Sequence, residues 1–248
     1  MAVSHATANA SRVALVFGGS RGIGAAAVQR LAADGFDVAF TYVSRADSAA
    51  KVTENAKGHG GRVLAIRADS ANPDAIESAV AQTVAQLGPL NALVVNAGVI
   101  GGGPIGSVPV QELDRMLNIN VRGVFLSIQA AVPHLAADAR VVTIGSNVSI
   151  LTGTVGAGVY QLTKTALIGL VKGAALDLAD RRITVNNIQP GPTDTDMNAG
   201  ALDALAANSP LKRVGSADEI AALISFLTSP ESGYMTGTTV TIDGGYTL

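Results

Sequence analysis

The chain has no cysteine and no tryptophan, and aromatic residues make up only 4% of it. Without a thiol there is no disulfide, no thiolate nucleophile and no cysteine-ligated metal, and a cytoplasmic setting fits this usage. Its three histidines, His5, His59 and His134, lie far apart and lack ligand spacing, so no metal site is expected. Charge is also scarce. Charged residues are 15% of the chain and nearly cancel, leaving a formal net charge of -2. That balance provides no basic footprint for nucleic acid and no basic amphipathic stretch for a membrane surface. No apolar run approaches the roughly 18 residues of a membrane span, so a soluble protein is expected. Repeats, low-complexity tracts and linkers are missing too. The opening MAVSHATANAS has neither the cationic start nor the apolar run of a signal peptide, and residues 1–11 read as a flexible terminus.

What is abundant is small aliphatic material. Hydrophobic residues account for 48% of the 248 positions, with few aromatics among them. Such a core suits helices packed closely on a buried sheet, and the length suits one domain over residues 12–248. Short apolar runs at Arg12 to Phe17, Asp37 to Tyr42, Arg62 to Arg67, Leu90 to Val95, Arg140 to Ile144, Ile183 to Ile188 and Thr239 to Ile242 read as about seven strands. Helical stretches separate them. Alternation of this kind predicts an α/β fold, a Rossmann-type doubly wound parallel sheet with helices on both faces and ligands at its carboxyl edge.

The first strand runs into GGSRGIG and then an Ala-rich helix, the order a dinucleotide site requires. Gly18 permits the tight turn. Gly22 and Gly24 allow close approach, and the helix N-terminus offers free N–H groups to a pyrophosphate. Ser20, Arg21 and Ile23 complete that candidate contact. The second strand ends in Tyr42, Val43, Ser44 and Arg45, with no carboxylate until Asp47. An acidic residue there suits a ribose 2′-hydroxyl, whereas arginine suits a 2′-phosphate, so Arg45 and Arg21 point to NADP(H) rather than NAD(H). Asp69 and Ser70 end the third strand, where they can meet an adenine. Asn96, Ala97 and Gly98 end the fourth.

From Val110 to about Leu135 the pattern reads as helix, with Asn118 and Asn120 interrupting an apolar face. Ser146 follows the fifth strand. Tyr160 and Lys164 are spaced i and i+4, neighbours on one helix face. An ammonium there favours the phenolate and lowers a phenol pKa that starts near 10. The same spacing also describes an ordinary helix start with a solvated lysine. After Pro190 and Gly191, residues from Thr193 to about Lys212 are small and weakly patterned and read as a mobile cover. Ser216 to Glu219 is a capping box.

GGSRGIG, Asn96-Ala97-Gly98, Asn120, Ser146, Tyr160 with Lys164, Pro190-Gly191 and the terminal IDGG together resemble the short-chain dehydrogenase/reductase family over nearly the whole chain. The resemblance implies Tyr160 as proton donor, Ser146 as binder of the substrate oxygen, and Lys164 on the nicotinamide ribose, lowering the Tyr160 pKa. It implies Asn120 supporting a water chain to Lys164, with Pro190, Gly191, Thr193 and Thr195 near the cofactor. The implied protein is a homotetrameric NADP(H)-dependent ketoreductase acting on a small carbonyl or alcohol. The alternative is a nucleotide-binding regulator of the cyclic-di-GMP type using the same cleft. Two departures stand out. Phe17 replaces the threonine of many members, removing a hydroxyl that ties the glycine turn to the neighbouring loop. The Ser146 to Tyr160 spacing is one residue longer than usual, and Ser149 offers a second hydroxyl.

Overall fold

The computed structural model describes residues 11–248. The terminal segment expected over residues 1–11 therefore lies outside the described residues except for Ser11. Strands β1 (Arg12–Phe17), β2 (Phe36–Tyr42), β3 (Val63–Arg67), β4 (Leu90–Val95), β5 (Leu135–Ile144), β6 (Thr184–Pro190) and β7 (Thr239–Ile242) form one sheet. Its order is β3-β2-β1-β4-β5-β6-β7, and every pairing is parallel. Helices α1 (Gly22–Ala33), α2 (Ala46–Lys57), α3 (Pro73–Leu87), α4 (Val110–Leu117), α5 (Gly123–Ala131), α6 (Gly158–Leu178), α7 (Leu202–Asn208) and α8 (Ala217–Thr228) surround it.

Successive strand residues point to opposite faces, so each central strand feeds two cores. On β1, Val13, Leu15 and Phe17 join the layer that includes Leu167 and Val171 of α6 and Ile76 of α3. Ala14 and Val16 join the other, with Val28 of α1 and Ile224 of α8. This two-sided burial explains why the strands read as continuous apolar runs.

Local chemistry sets several boundaries. Asn72 caps α3, its side chain accepting from Asp74 N and Ala75 N, with Pro73 in the first turn. Ser216 and Glu219 form the reciprocal capping box of α8. Two expectations need correction and a third needs detail. The helix expected from Val110 to Leu135 is broken by a π-helical turn at Asn118–Arg122. Strand β5 begins at Leu135, five residues early, with a register shift against β4 between Leu90 and Ala92. The segment expected as a mobile cover carries regular structure that its weak pattern did not announce: it contains α7, and an isolated parallel bridge pairs Thr193 with Gly215.

Candidate functional site

The topology reverses between β1 and β4, and the carboxyl ends of these two strands open a crevice there. A cavity of about 450 Å³ occupies it. The loop after β1 lines it through Gly18, Ser20, Arg21, Gly22 and Ile23, and the end of β2 through Tyr42, Ser44 and Arg45. Asp69 and Ser70 contribute from the loop after β3, Asn96, Ala97 and Gly98 from the loop after β4, and Thr195 from the loop after β6.

The glycine turn is held by backbone and by two polar side chains. Gly18 N donates to Thr41 Oγ1 at 2.9 Å, and Gly19 N to the Thr41 carbonyl at 2.9 Å. Asn96 Nδ2 donates to Gly18 O at 2.7 Å, while Ala97 N donates to Phe17 O at 2.8 Å. These bonds make the tie that the missing threonine was expected to leave unmade. Phe17 is instead a fully buried core residue. A β-carbon on Gly18 would lie 2.8 Å from Ala97 Cα, and one on Gly24 would lie 2.0 Å from Gly18 O. Only glycine fits at either place. Helix α1 begins beside this turn with no side-chain cap and no acidic residue in its first turn. Its free N–H groups and its dipole suit an anion.

Gly98 joins the cavity to a second group of residues. A β-carbon there would lie 3.2 Å from Lys164 Nζ and 3.4 Å from Asn120 Oδ1. Asn120 is fully buried in the π-helical turn. Its Oδ1 accepts from Val99 N at 2.8 Å, and its Nδ2 donates to Val99 O at 2.8 Å and to Thr163 Oγ1 at 3.1 Å. Thr163 in turn donates to Tyr160 O at 2.8 Å. The amide is thus fully used as a brace, which is how a buried side-chain amide is tolerated. A π-turn at such a place re-aims side chains relative to a regular helix.

Lys164, buried in α6, donates from Nζ to Ile144 O at 2.8 Å and stands 5.9 Å from the centre of the Tyr160 ring. Desolvation lowers its pKa to about 8. The Tyr160 phenol moves the other way. Burial raises its pKa, and a hydrogen-bonding contact with Ser146 opposes the rise only in part. The expected lowering of Tyr160 by Lys164 is therefore not what this structure displays, because desolvation of the phenol outweighs the other influences. Ser146 also accepts from Val148 N at 3.3 Å. A 3-10 turn at Asn147–Ser149 follows Ser146, and Ser149 Oγ is buried with no hydrogen-bond partner. Ser146, not Ser149, is the hydroxyl beside the phenol.

Pro190, Gly191 and Thr193 do not reach the cavity wall. Pro190 ends β6, and a β-carbon on Gly191 would strike Asp243 Cβ at 2.5 Å. Thr193 donates from Oγ1 to Gly191 O at 2.9 Å. These residues shape the loop that delivers Thr195. Conversely, Thr41, Val43, Ala68, Val99, Ile119, Asp196 and Met197 line the cavity without having been singled out. Thr41 was legible as a hydroxyl near the end of an otherwise apolar strand. Asp196 carried no such signal, because its 3.5 Å ion pair with Arg21 joins distant parts of the chain.

Among the described residues no group of His, Asp or Glu is arranged to hold a metal, and no helix is long and apolar enough to cross a membrane.

Residues 18–247 match a family model described as enoyl-(acyl carrier protein) reductase. A 3-oxoacyl-[acyl-carrier-protein] reductase of Staphylococcus aureus is 36% identical over 240 residues, spanning 95% of this chain and 98% of its own. A cyclic-di-GMP-binding biofilm dispersal mediator protein of Escherichia coli is 34% identical over 238 residues, spanning 95% and 97%. The solved structure of a short chain dehydrogenase from Burkholderia cenocepacia J2315 in complex with NADP superposes with a TM-score of 0.93. It is 44% identical, covering 96% of this chain and 98% of that one.

Proposed function

The chain belongs to the short-chain dehydrogenase/reductase family, and from that premise we propose that it is an NADP(H)-dependent ketoreductase. It moves hydride between nicotinamide and a carbonyl or secondary alcohol, with residues 12–248 acting as one dinucleotide-binding and catalytic domain. The observation that carries this reading is the continuity of the cleft. One cavity runs from the uncapped α1 N-terminus, past Arg21 and Arg45, to Gly98, behind which Lys164 and Asn120 are packed.

The residues fit the cofactor. The glycine turn packs too closely against Ala97 and against its own backbone for any side chain at Gly18 or Gly24, which keeps it beside the free N–H groups of α1, and Arg21 and Arg45 line the cavity as the cations for a 2′-phosphate. NADPH when bound supplies the hydride, and the protein supplies placement and the proton. Tyr160 gives its phenolic proton to the substrate oxygen as negative charge develops on it. A phenol whose pKa is raised by burial stays protonated at neutral pH and is available for that transfer. Ser146 holds the same oxygen with its hydroxyl. Lys164 presents an amine to the nicotinamide ribose, and Asn120 keeps the Val99 backbone and Thr163 in place around it. The regulator reading is not favoured. A binder without turnover has no use for Asn120, Ser146, Tyr160 and Lys164 together.

A homotetramer in the cytoplasm is part of the proposal. It is supported by family habit, by the lack of cysteine and by exposed apolar side chains, Phe125 on α5 with Leu162 and Leu176 on α6. Light scattering of the purified protein tests the assembly. Replacing Tyr160 by Phe tests the chemistry: carbonyl-dependent NADPH oxidation is expected to fall by roughly 100-fold or more, with NADPH binding unchanged. Undiminished turnover overturns the assignment. Parallel assays with NADH test the choice of cofactor.

A further inference from the structure

Beyond the cofactor cleft, the mouth of the site is built from two loops that leave neighbouring strands. One follows Gly98 at the end of β4, and the other joins Ser146 to Tyr160. They are seamed midway. Gly103 N donates to Gly156 O at 2.9 Å, and a β-carbon on Gly102 would lie 2.4 Å from that same oxygen. No side chain fits between the loops at Gly102, and together they form a rim that starts from Val99 on the cavity wall and from Ser146 beside the Tyr160 phenol.

That rim is uncharged. Neither Val99 to Pro109 nor Ser146 to Val159 includes a single Asp, Glu, Lys or Arg. It is also apolar, since Ile100, Ile105, Ile150, Leu151 and Val155 are exposed, Ile105 at 93% and Val155 at 90%. From the third side Met197 adds an exposed thioether to the cavity wall. The arginine that reaches these loops is already engaged. Arg115 reaches Ile100 O at 3.3 Å but is paired with Glu112 at 2.8 Å. Arg21 pairs with Asp196 on the cofactor side.

We infer that the substrate is a neutral carbonyl compound with an apolar substituent, presented free rather than on a phosphorylated or acidic carrier. This rests on the ketoreductase reading above. Phosphates and acidic protein surfaces are recognised through arginine and lysine, by charge-assisted hydrogen bonds and by complementary fields. This rim offers neither. What it offers is apolar area, whose burial favours a hydrocarbon tail by about 0.8 kcal/mol per methylene.

The test compares matched 3-oxo substrates with NADPH: a homologous series of ethyl 3-oxo esters, an N-acetylcysteamine thioester and the coenzyme A thioester of the same acid. For the esters, kcat/KM is expected to rise by up to about fourfold per added methylene until the rim is covered. The coenzyme A thioester is expected to fall roughly tenfold or more below the neutral thioester. Val155→Glu is expected to flatten the chain-length series while leaving the NADPH dissociation constant unchanged. A coenzyme A thioester that equals or exceeds the neutral thioester overturns the inference and leaves the ketoreductase reading standing. A series with no dependence on chain length does the same. NADPH binding without turnover of any probe overturns the ketoreductase reading, and the inference with it.

Discussion

Lys164 Nζ donates a 2.8 Å hydrogen bond to the carbonyl oxygen of Ile144, the last residue of β5. The bond anchors α6 to the end of the strand that delivers Ser146, so the lysine links both halves of the site. Its burial has a thermodynamic consequence. The amine titrates at about 8 in the folded protein, against 10.5 for an unperturbed lysine. Between those values the unfolded chain binds a proton that the folded one does not, so stability rises with pH. Below about 8 the penalty of burying the charge is fully present. Across the interval the gain is about 3 kcal/mol. Urea midpoints from pH 7.5 to 10 are expected to rise for the cofactor-free protein relative to Lys164→Met, and parallel pH profiles refute this.

Thr163 accepts from Asn120 and donates to Tyr160 O, bridging the π-turn to the first turn of α6. Thr163→Val keeps the shape and leaves one amide hydrogen bond of Asn120 unmade. A loss of about 1–2 kcal/mol is expected in chemical denaturation. Because the bridge positions Tyr160, kcat is expected to drop while the KM for NADPH holds. An unchanged kcat would remove Thr163 from the positioning network.

At Gly24 an added methyl meets the Gly18 carbonyl oxygen at 2.0 Å and the Asn96 Nδ2 at 2.6 Å, and the Gly18 backbone leaves little room to yield. Gly24→Ala is expected to cost roughly 1–3 kcal/mol of stability and to open the glycine turn, abolishing NADPH binding by calorimetry. Gly22→Ala is milder in space, with 3.1 Å to Thr195 Cγ2, but it is strained at a φ of +51°. It is expected to weaken NADPH binding without abolishing it. Equal affinities in the two variants would contradict this ranking.

Arg21 and Asp196 are both more than half exposed, and their ion pair is 3.5 Å long. Asp196→Asn is therefore expected to change stability by less than about 0.5 kcal/mol. The arginine matters through the cofactor instead. Arg21→Ala combined with Arg45→Ala is expected to reduce the NADPH-to-NADH ratio of kcat/KM by roughly tenfold or more, since each lost cation costs a charge-assisted contact. Steady-state kinetics with both cofactors decides it, and an unchanged ratio refutes the 2′-phosphate assignment.

Much of the architecture was legible because it is local. Seven apolar runs mark the strands, since residues buried on both faces of a parallel sheet need no polar alternation. The glycine turn, the Asn72 cap and the Ser216–Glu219 capping box are written in adjacent residues whose backbone conformations depend on little else. The i, i+4 pair of Tyr160 and Lys164 follows from helix geometry alone.

Other features depend on residues distant in sequence. The π-turn at Asn118–Arg122 is accompanied by bonds from Asn120 to Val99 and Thr163, which no periodicity within the helix reveals. The tie that compensates for Phe17 comes from Thr41 on β2 and Asn96 in the loop after β4. The direction of the Tyr160 pKa depends on how much water the fold removes from the phenol, and spacing carries no measure of that.

The sequence by itself determined the order of strands and helices, the glycine turn and the identity of the Ser146, Tyr160 and Lys164 candidates, because each rests on short-range geometry. Only the tertiary structure decided that Ser146 rather than Ser149 meets the phenol, that burial rather than the lysine sets its proton affinity, and that two glycine-seamed loops make an uncharged rim. Those outcomes arise from desolvation and from packing between separate loops, and both exist only once the chain has closed on itself.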